Sequence, residues 1–272
     1  VPGAGGLGGE PHPAAVTAGT PARPLRVTLV GDSVMRDEAP ALAAALGATG
    51  GAVVTDMAYP GWGLATDHGW HQGVPAMLGS TRPDVVVATW SWDDDWLLAD
   101  PAGYRAALEG YLRLLLDPPR GTVGARLVVL EQFPALGPLP SAAGGPAGQA
   151  RRLRGVAAWN ALAATLPARF PGRVLYFPVG AAVEVAGRYA TWLPPPGAGP
   201  SGAPRASWVR ARAVDGTHFC PAGAARYAVA VVRDLRAELT LPAPAGAWWE
   251  GIWSRDLTYD TPPGKCPADH PG

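Results

Sequence analysis

Gly31-Asp32-Ser33 follows a run of β-formers, Leu25 to Val30, and precedes a helix-compatible run from about Arg36 to Leu46. The Ser33 hydroxyl therefore stands at a strand-to-helix turn. Open α/β sheets place ligands at the carboxyl ends of their strands, and the free N–H groups of a helix start favour developing negative charge. Those are the needs of an acyl-transfer nucleophile. The same tripeptide also makes an ordinary turn and helix cap, so the serine requires a base elsewhere. Asp215-Gly-Thr-His218 holds the candidate. A carboxylate three residues before an imidazole, across a glycine-containing turn, can reach one ring nitrogen, fix the tautomer and leave the other nitrogen for a serine.

The elements that would position these groups alternate between strand and helix. Short apolar runs predict strands at Leu25–Val30, Ala52–Thr55, Asp84–Thr89, Arg126–Glu131 and Arg173–Phe177. Helical patterns are expected after Ser33, from Pro101 to about Leu116, from about Arg151 to Leu166, and from about Pro221 to Leu239. A further short helix is expected over Ala181–Tyr189. The alternation predicts an α/β fold with a mostly parallel sheet of about five strands. Residues 1–24 are rich in Gly, Pro and Ala and read as a flexible arm or linker. The chemistry would lie within 25–240, and 241–272 reads as an irregular Trp- and Pro-rich wrap.

Composition narrows the partners. The chain has 272 residues, with 22 basic and 22 acidic side chains. With no basic field, nucleic acid is not an expected partner. No apolar run reaches the length of a membrane span. Val1 opens without the charged start of a signal peptide, so a mature or excised piece of a longer protein is expected. Cys220 and Cys266 are either one disulfide, in an oxidising compartment, or two buried thiols. The disulfide is favoured, because an irregular tail gains most from such a staple. It would let Trp248, Trp249, Trp253 and Tyr259 roof the cleft.

Taken together, Gly-Asp-Ser after the first strand and Asp-x-x-His before the last helix resemble the SGNH (GDSL-type) hydrolase family over roughly residues 25–240. The resemblance implies a three-layer α/β/α sandwich, Ser33 as nucleophile, His218 as general base and acid, and Asp215 as the orienting carboxylate. It also implies two further blocks that supply oxyanion donors. Tyr59-Pro-Gly61-Trp62-Gly63 occupies the place of the first, with Gly63 favoured and Gly61 next. The second is normally Gly-x-Asn-Asp, and here Trp90-Ser91-Trp92-Asp93 stands in its place. Trp92 thus falls where Asn is expected, and it either donates through its indole N–H or packs as a pocket wall. Trp62, Trp90 and Trp92 are expected to wall the cleft, with Ser91 and Asp93 beside the substrate.

No cofactor or metal is expected. Asp93, Asp94 and Asp95 read as a solvated loop or helix cap rather than a cation site. His68 and His71 beside Asp67 read as a polar loop, and Arg36 and Asp37 as helix-surface charges. The Gly-Asp-Ser-Val-Met wording, the missing Asn and the Gly/Pro-rich arm look like the extracytoplasmic SGNH domains fused behind acyltransferase-3 type membrane segments. That resemblance implies a serine O-acyltransferase or esterase acting on short acyl groups of cell-envelope glycans. Its partners would be a glycan or small acyl ester, and a membrane acyltransferase domain in the full-length protein. The alternatives are a secreted carbohydrate esterase and a catalytically inactive glycan-binding module.

Overall fold

The computed structural model describes residues 19–66, 69–139, 144–198 and 204–268. Most of the expected N-terminal arm, together with Asp67 and His68, lies outside these residues. Five strands form one parallel sheet: β1 (Leu25–Gly31), β2 (Ala52–Asp56), β3 (Val85–Thr89), β4 (Leu127–Glu131) and β5 (Val174–Phe177), in the order β2-β1-β3-β4-β5. Strands β3 and β4 are buried along their whole length. That explains their uninterrupted apolar runs, since a parallel sheet is covered on both faces.

Among the described residues, six helices complete the sandwich: α1 (Ser33–Gly47), α2 (Trp70–Thr81), α3 (Asp94–Ala99), α4 (Pro101–Leu116), α5 (Gly145–Ala163) and α6 (Pro221–Glu238). Helices α1 and α6 pack against each other, and α2, α3, α4 and α5 pack in a second group. Right-handed crossovers from this strand order put the two groups on opposite faces. Helix α4 shows how the sequence sets such an element. Pro101 sits in its first turn, the Asp100 carboxylate accepts the Gly103 N–H at 2.9 Å, and Tyr104, Leu108, Tyr111, Leu112 and Leu115 form its buried stripe. The direction of the chain's winding reverses between β1 and β3, the position where such sheets bind ligands.

Three expectations need correction. Helix α2 begins at Trp70, where the stretch around His71 read as a polar loop, and neither it nor the short α3 was expected as a helix. Residues 181–189 are not a helix: a short 3₁₀ turn, Val179–Val183, leads into an antiparallel pair, Glu184–Val185 with Arg188–Tyr189. Ala186 and Gly187 both have positive φ, 51° and 71°, as the two central residues of a type I′ hairpin turn require. The tail does not roof the cleft either. Trp248 and Trp249 border a separate groove against Arg226 and Arg233 of α6, Trp253 packs on Trp248, and Tyr259 is buried.

Cys220 and Cys266 form a disulfide across 46 residues of sequence. Closing a loop of that size restricts the unfolded chain by about 2–4 kcal/mol. Among the described residues, no helix is long and apolar enough to cross a membrane.

One buried pair is left over from the core. Glu38 of α1 and Glu131 of β4 are both fully buried, and among the described residues their carboxyls meet no donor from any other group, only each other. Burial first, and then the neighbouring Glu131, hold Glu38 well above the ordinary glutamate range. Burial pushes Glu131 up to about 8. Both values are raised on folding, so the protonated pair stabilises the fold fully in acid, and that contribution is lost as pH rises through about 8. The thermal midpoint is therefore expected to fall progressively from about pH 4.5, the ordinary glutamate value, up to about pH 8. The drop should be smaller in Glu131→Gln, which cannot ionise. Scanning calorimetry across that range checks it, and parallel curves for the two proteins would refute it.

Candidate active site

Ser33 is the first residue of α1, directly beyond the end of β1. Asp32 caps the helix: one carboxyl oxygen accepts the Val34 N–H at 2.8 Å and the other the Ser91 N–H at 2.8 Å. The cap thus joins the turn after β1 to the turn after β3. Burial pushes Asp32 up to about 6, against the pull of those two N–H groups. The N–H of Ser33, at the head of the helix, has no carbonyl one turn earlier to bind.

His218 lies 185 residues away in sequence, and its Nε2 is 2.7 Å from the Ser33 Oγ. Its Nδ1 is 2.6 Å from Asp215 Oδ2. An ionised carboxylate only accepts, so Nδ1 carries the proton and the Ser33 hydroxyl donates to Nε2. The other Asp215 oxygen accepts the Thr217 and His218 N–H groups, at 2.8 and 3.0 Å. Burial works against the Asp215 charge. The hydrogen bonds from the His218 ring and from the two backbone groups outweigh it and hold the carboxyl well below the usual range. The turn needs Gly216, whose φ is 76° and where a Cβ would fall 2.1 Å from the Pro138 carbonyl.

Beneath this turn lies a residue that no sequence motif marks. Arg212 is wholly buried between the rings of Tyr189 and Phe219 and donates to the carbonyls of Thr217, at 2.6 Å, and Ala135, at 3.0 Å. Burial lowers it to about 10. Its value to the site is geometric: it fixes the carbonyl side of the turn whose N–H side Asp215 fixes.

Ser33 and His218 open into a cleft of about 850 Å³ whose walls include Ser91, Trp92, Arg152 and Arg154. Arg152 of α5, also unanticipated, donates to the carbonyl and hydroxyl of Ser91 at 3.0 and 3.2 Å and pairs with Asp94 at 3.2 Å. Ser91 therefore braces the cleft, because its N–H is held by Asp32 and its oxygens by Arg152. Asp95 pairs with Arg151. Asp94 and Asp95 therefore open α3 after Asp93, in line with the helix-cap reading, and are ion-paired to α5.

Of the three tryptophans expected at the cleft, only Trp92 lines it. Trp90 is fully buried, and its indole N–H donates to Asp93 and to Tyr104, each at 2.9 Å. Trp62 packs on Trp90 and Tyr111. Asp93 was expected beside the substrate but does not line the cleft. It is buried, and its oxygens accept from the backbone N–H groups of Leu64 and Ala65, the Trp90 indole and the Tyr104 hydroxyl. Gly63 is packed against that carboxylate, and neither Gly61 nor Gly63 is among the residues lining the cleft. His71 stacks on Trp70, and among the described residues no cluster of three metal-ligating side chains occurs.

Trp92 is 49% exposed, and the Arg152 guanidinium lies 5.6 Å from its ring centre. This contact fixes the ring as a wall. Trp92→Phe is therefore expected to keep kcat for an acyl ester within about threefold, whereas loss of an oxyanion donor costs about 10²–10³. A hundredfold fall in Trp92→Phe would instead make the indole N–H the donor.

Several solved structures share this fold. One is described as a carbohydrate acetylesterase family member from Sinorhizobium meliloti, with a TM-score of 0.54 and 18% identity, covering 80% of this chain and 100% of its own. An aryl esterase from M. smegmatis has a TM-score of 0.53 and 16% identity, covering 79% and 100%. An acetylxylan esterase from Geobacillus stearothermophilus has a TM-score of 0.50 and 17% identity, covering 78% and 94%. No family model matches the chain, and no curated protein matches it. The likeness is one of architecture: the chain has the SGNH-hydrolase fold.

Proposed function

We propose that this protein is a serine esterase or O-acyltransferase that acts on short acyl groups carried by glycans. The observation that carries the reading is the Ser33–His218–Asp215 chain of hydrogen bonds, 2.7 and 2.6 Å, at the mouth of the cleft. In the first half-reaction the Ser33 oxygen attacks the ester carbonyl and its proton passes to His218 Nε2. Collapse of the tetrahedral adduct breaks the ester bond, and His218 returns the proton to the departing alcohol. In the second half-reaction His218 takes a proton from water or from a sugar hydroxyl, which attacks the acyl-serine and frees Ser33. The Ser33 N–H, at the head of α1, faces the developing oxyanion in this proposal.

The glycan assignment draws on the carbohydrate acetylesterase and acetylxylan esterase among the structural neighbours. A place outside the cytoplasm is supported by the disulfide. The proposed setting is the cell envelope, with the domain carried behind a membrane acyltransferase segment in the full-length protein.

The test is incubation with a chromogenic acetyl ester, with and without an oligosaccharide acceptor, reading released acetate and acetylated sugar together. Release of acetate alone makes the protein an esterase, and acetylated sugar makes it a transferase. A protein that forms neither product and is not labelled by a serine-directed phosphonate would be a glycan-binding module, and the proposal would fail.

A further inference from the structure

Lys265 is the only lysine in the chain, and it is buried, with 5% of its surface exposed. Its ammonium donates to Asp37 Oδ1 at 2.6 Å and to the Thr258 carbonyl at 3.0 Å. Asp37, on α1 four residues after Ser33, is 1% exposed. Its other oxygen accepts the N–H of Phe219, the residue after His218, at 3.0 Å. The Lys265 carbonyl accepts the N–H of Val214, the residue before Asp215, at 3.1 Å. Cys266, next to Lys265, is bonded to Cys220, two residues past His218. Tyr259 adds a hydrogen bond to the Asp37 carbonyl at 2.8 Å.

Both ends of the Asp215–His218 turn are therefore tied to two adjacent tail residues, and the Asp37 arm of that tie begins on the helix that carries Ser33. The structure assigns Lys265 as a positioning residue for His218, setting the base against the nucleophile through Asp37. A buried ion pair is an inefficient way to add stability, since apolar residues of similar volume commonly serve as well or better. It is an effective way to fix direction. Asp37 can meet the Phe219 N–H and the ammonium at once in only a narrow range of orientations. Catalytic geometry has to be held to about 0.5 Å, and a misplacement of about 1 Å can cost 10²-fold.

The inference rests on the esterase reading for its kinetic readout, so the test pairs kinetics with a signal independent of turnover. Lys265→Met is expected to lower kcat for a chromogenic acetyl ester by about 10²-fold, with KM within about twofold because no cleft residue changes. The downfield proton NMR resonance of the His218 Nδ1–H, hydrogen-bonded to Asp215, is expected to broaden or vanish while circular dichroism stays native. Should Lys265→Met fail to fold, Asp37→Asn carries the same test with little change in volume. A folded variant with wild-type kcat, or one that loses kcat with an unchanged downfield resonance, overturns the assignment. Wild-type protein that neither turns over the ester nor takes the phosphonate would sink the esterase reading instead, and the resonance would still decide the positioning role.

Discussion

Ser33→Ala is expected to abolish both acyl-ester turnover and covalent labelling by a serine-directed phosphonate. The fall in kcat should be on the order of 10⁴–10⁶-fold, as for other serine enzymes that lose their nucleophile. The substitution removes one oxygen, and the cap on α1 depends on Asp32 rather than on Ser33. Unfolding midpoints should therefore match the wild type. Asp215→Asn should also lose activity, by about 10⁴-fold. Its amide would leave the His218 ring free to take the wrong tautomer. The Asp215 carboxyl is held well below the usual range, so its own protonation does not shape the activity profile near neutrality. Steady-state kinetics on a chromogenic ester, with phosphonate labelling read by intact mass, checks both variants. Labelling that persists in Ser33→Ala would place the nucleophile elsewhere.

The nucleophile and base were open to sequence reasoning because their chemistry is local. Asp215 and His218 meet across three residues, and a hydroxyl at a strand-to-helix turn sits where α/β sheets bind ligands. The strands were readable for a similar reason, since burial on both faces leaves unbroken apolar runs in β3 and β4. What escaped detection is held together at long range. Asp37 resembled a helix-surface charge because Lys265, 228 residues on, is what buries it. Arg152 sits in a run of arginines that looks solvent-facing, and only the fold brings it onto Ser91 and Asp94. Helix α2 was hidden by Pro75 and by glycines at 73 and 79, with a buried stripe of only Trp70, Val74, Met77 and Leu78. The Ala- and Val-rich stretch after Val179 looked helical until the positive φ angles of Ala186 and Gly187 turned it into a hairpin.

Asp93 shows the same effect at its largest, and its removal is expected to be the most damaging single change to stability. One carboxyl oxygen accepts the Leu64 N–H at 2.8 Å, the Trp90 indole at 2.9 Å and the Tyr104 hydroxyl at 2.7 Å, while the other accepts the Ala65 N–H at 2.9 Å. Asp93→Ala leaves these donors buried without an acceptor, apart from the contact between Trp90 and Tyr104. At about 1–3 kcal/mol for each unmet donor, and allowing for partial relaxation, the expected loss is about 4 kcal/mol. Asp93→Asn is expected to lose about half of that. Its carbonyl can keep the three-donor position, so that its amide confronts only the Ala65 N–H. Urea titration of the three proteins measures this order, and equal losses for Asn and Ala would show that charge, not donor count, is what matters. Gly63 extends the argument, since a Cβ there would lie 2.5 Å from an Asp93 oxygen. Gly63→Ala should therefore be destabilising, and less than additive with Asp93→Asn, because each disturbs the same contact. A stable Gly63→Ala protein with impaired turnover would instead point to the Gly63 N–H as a donor to the oxyanion.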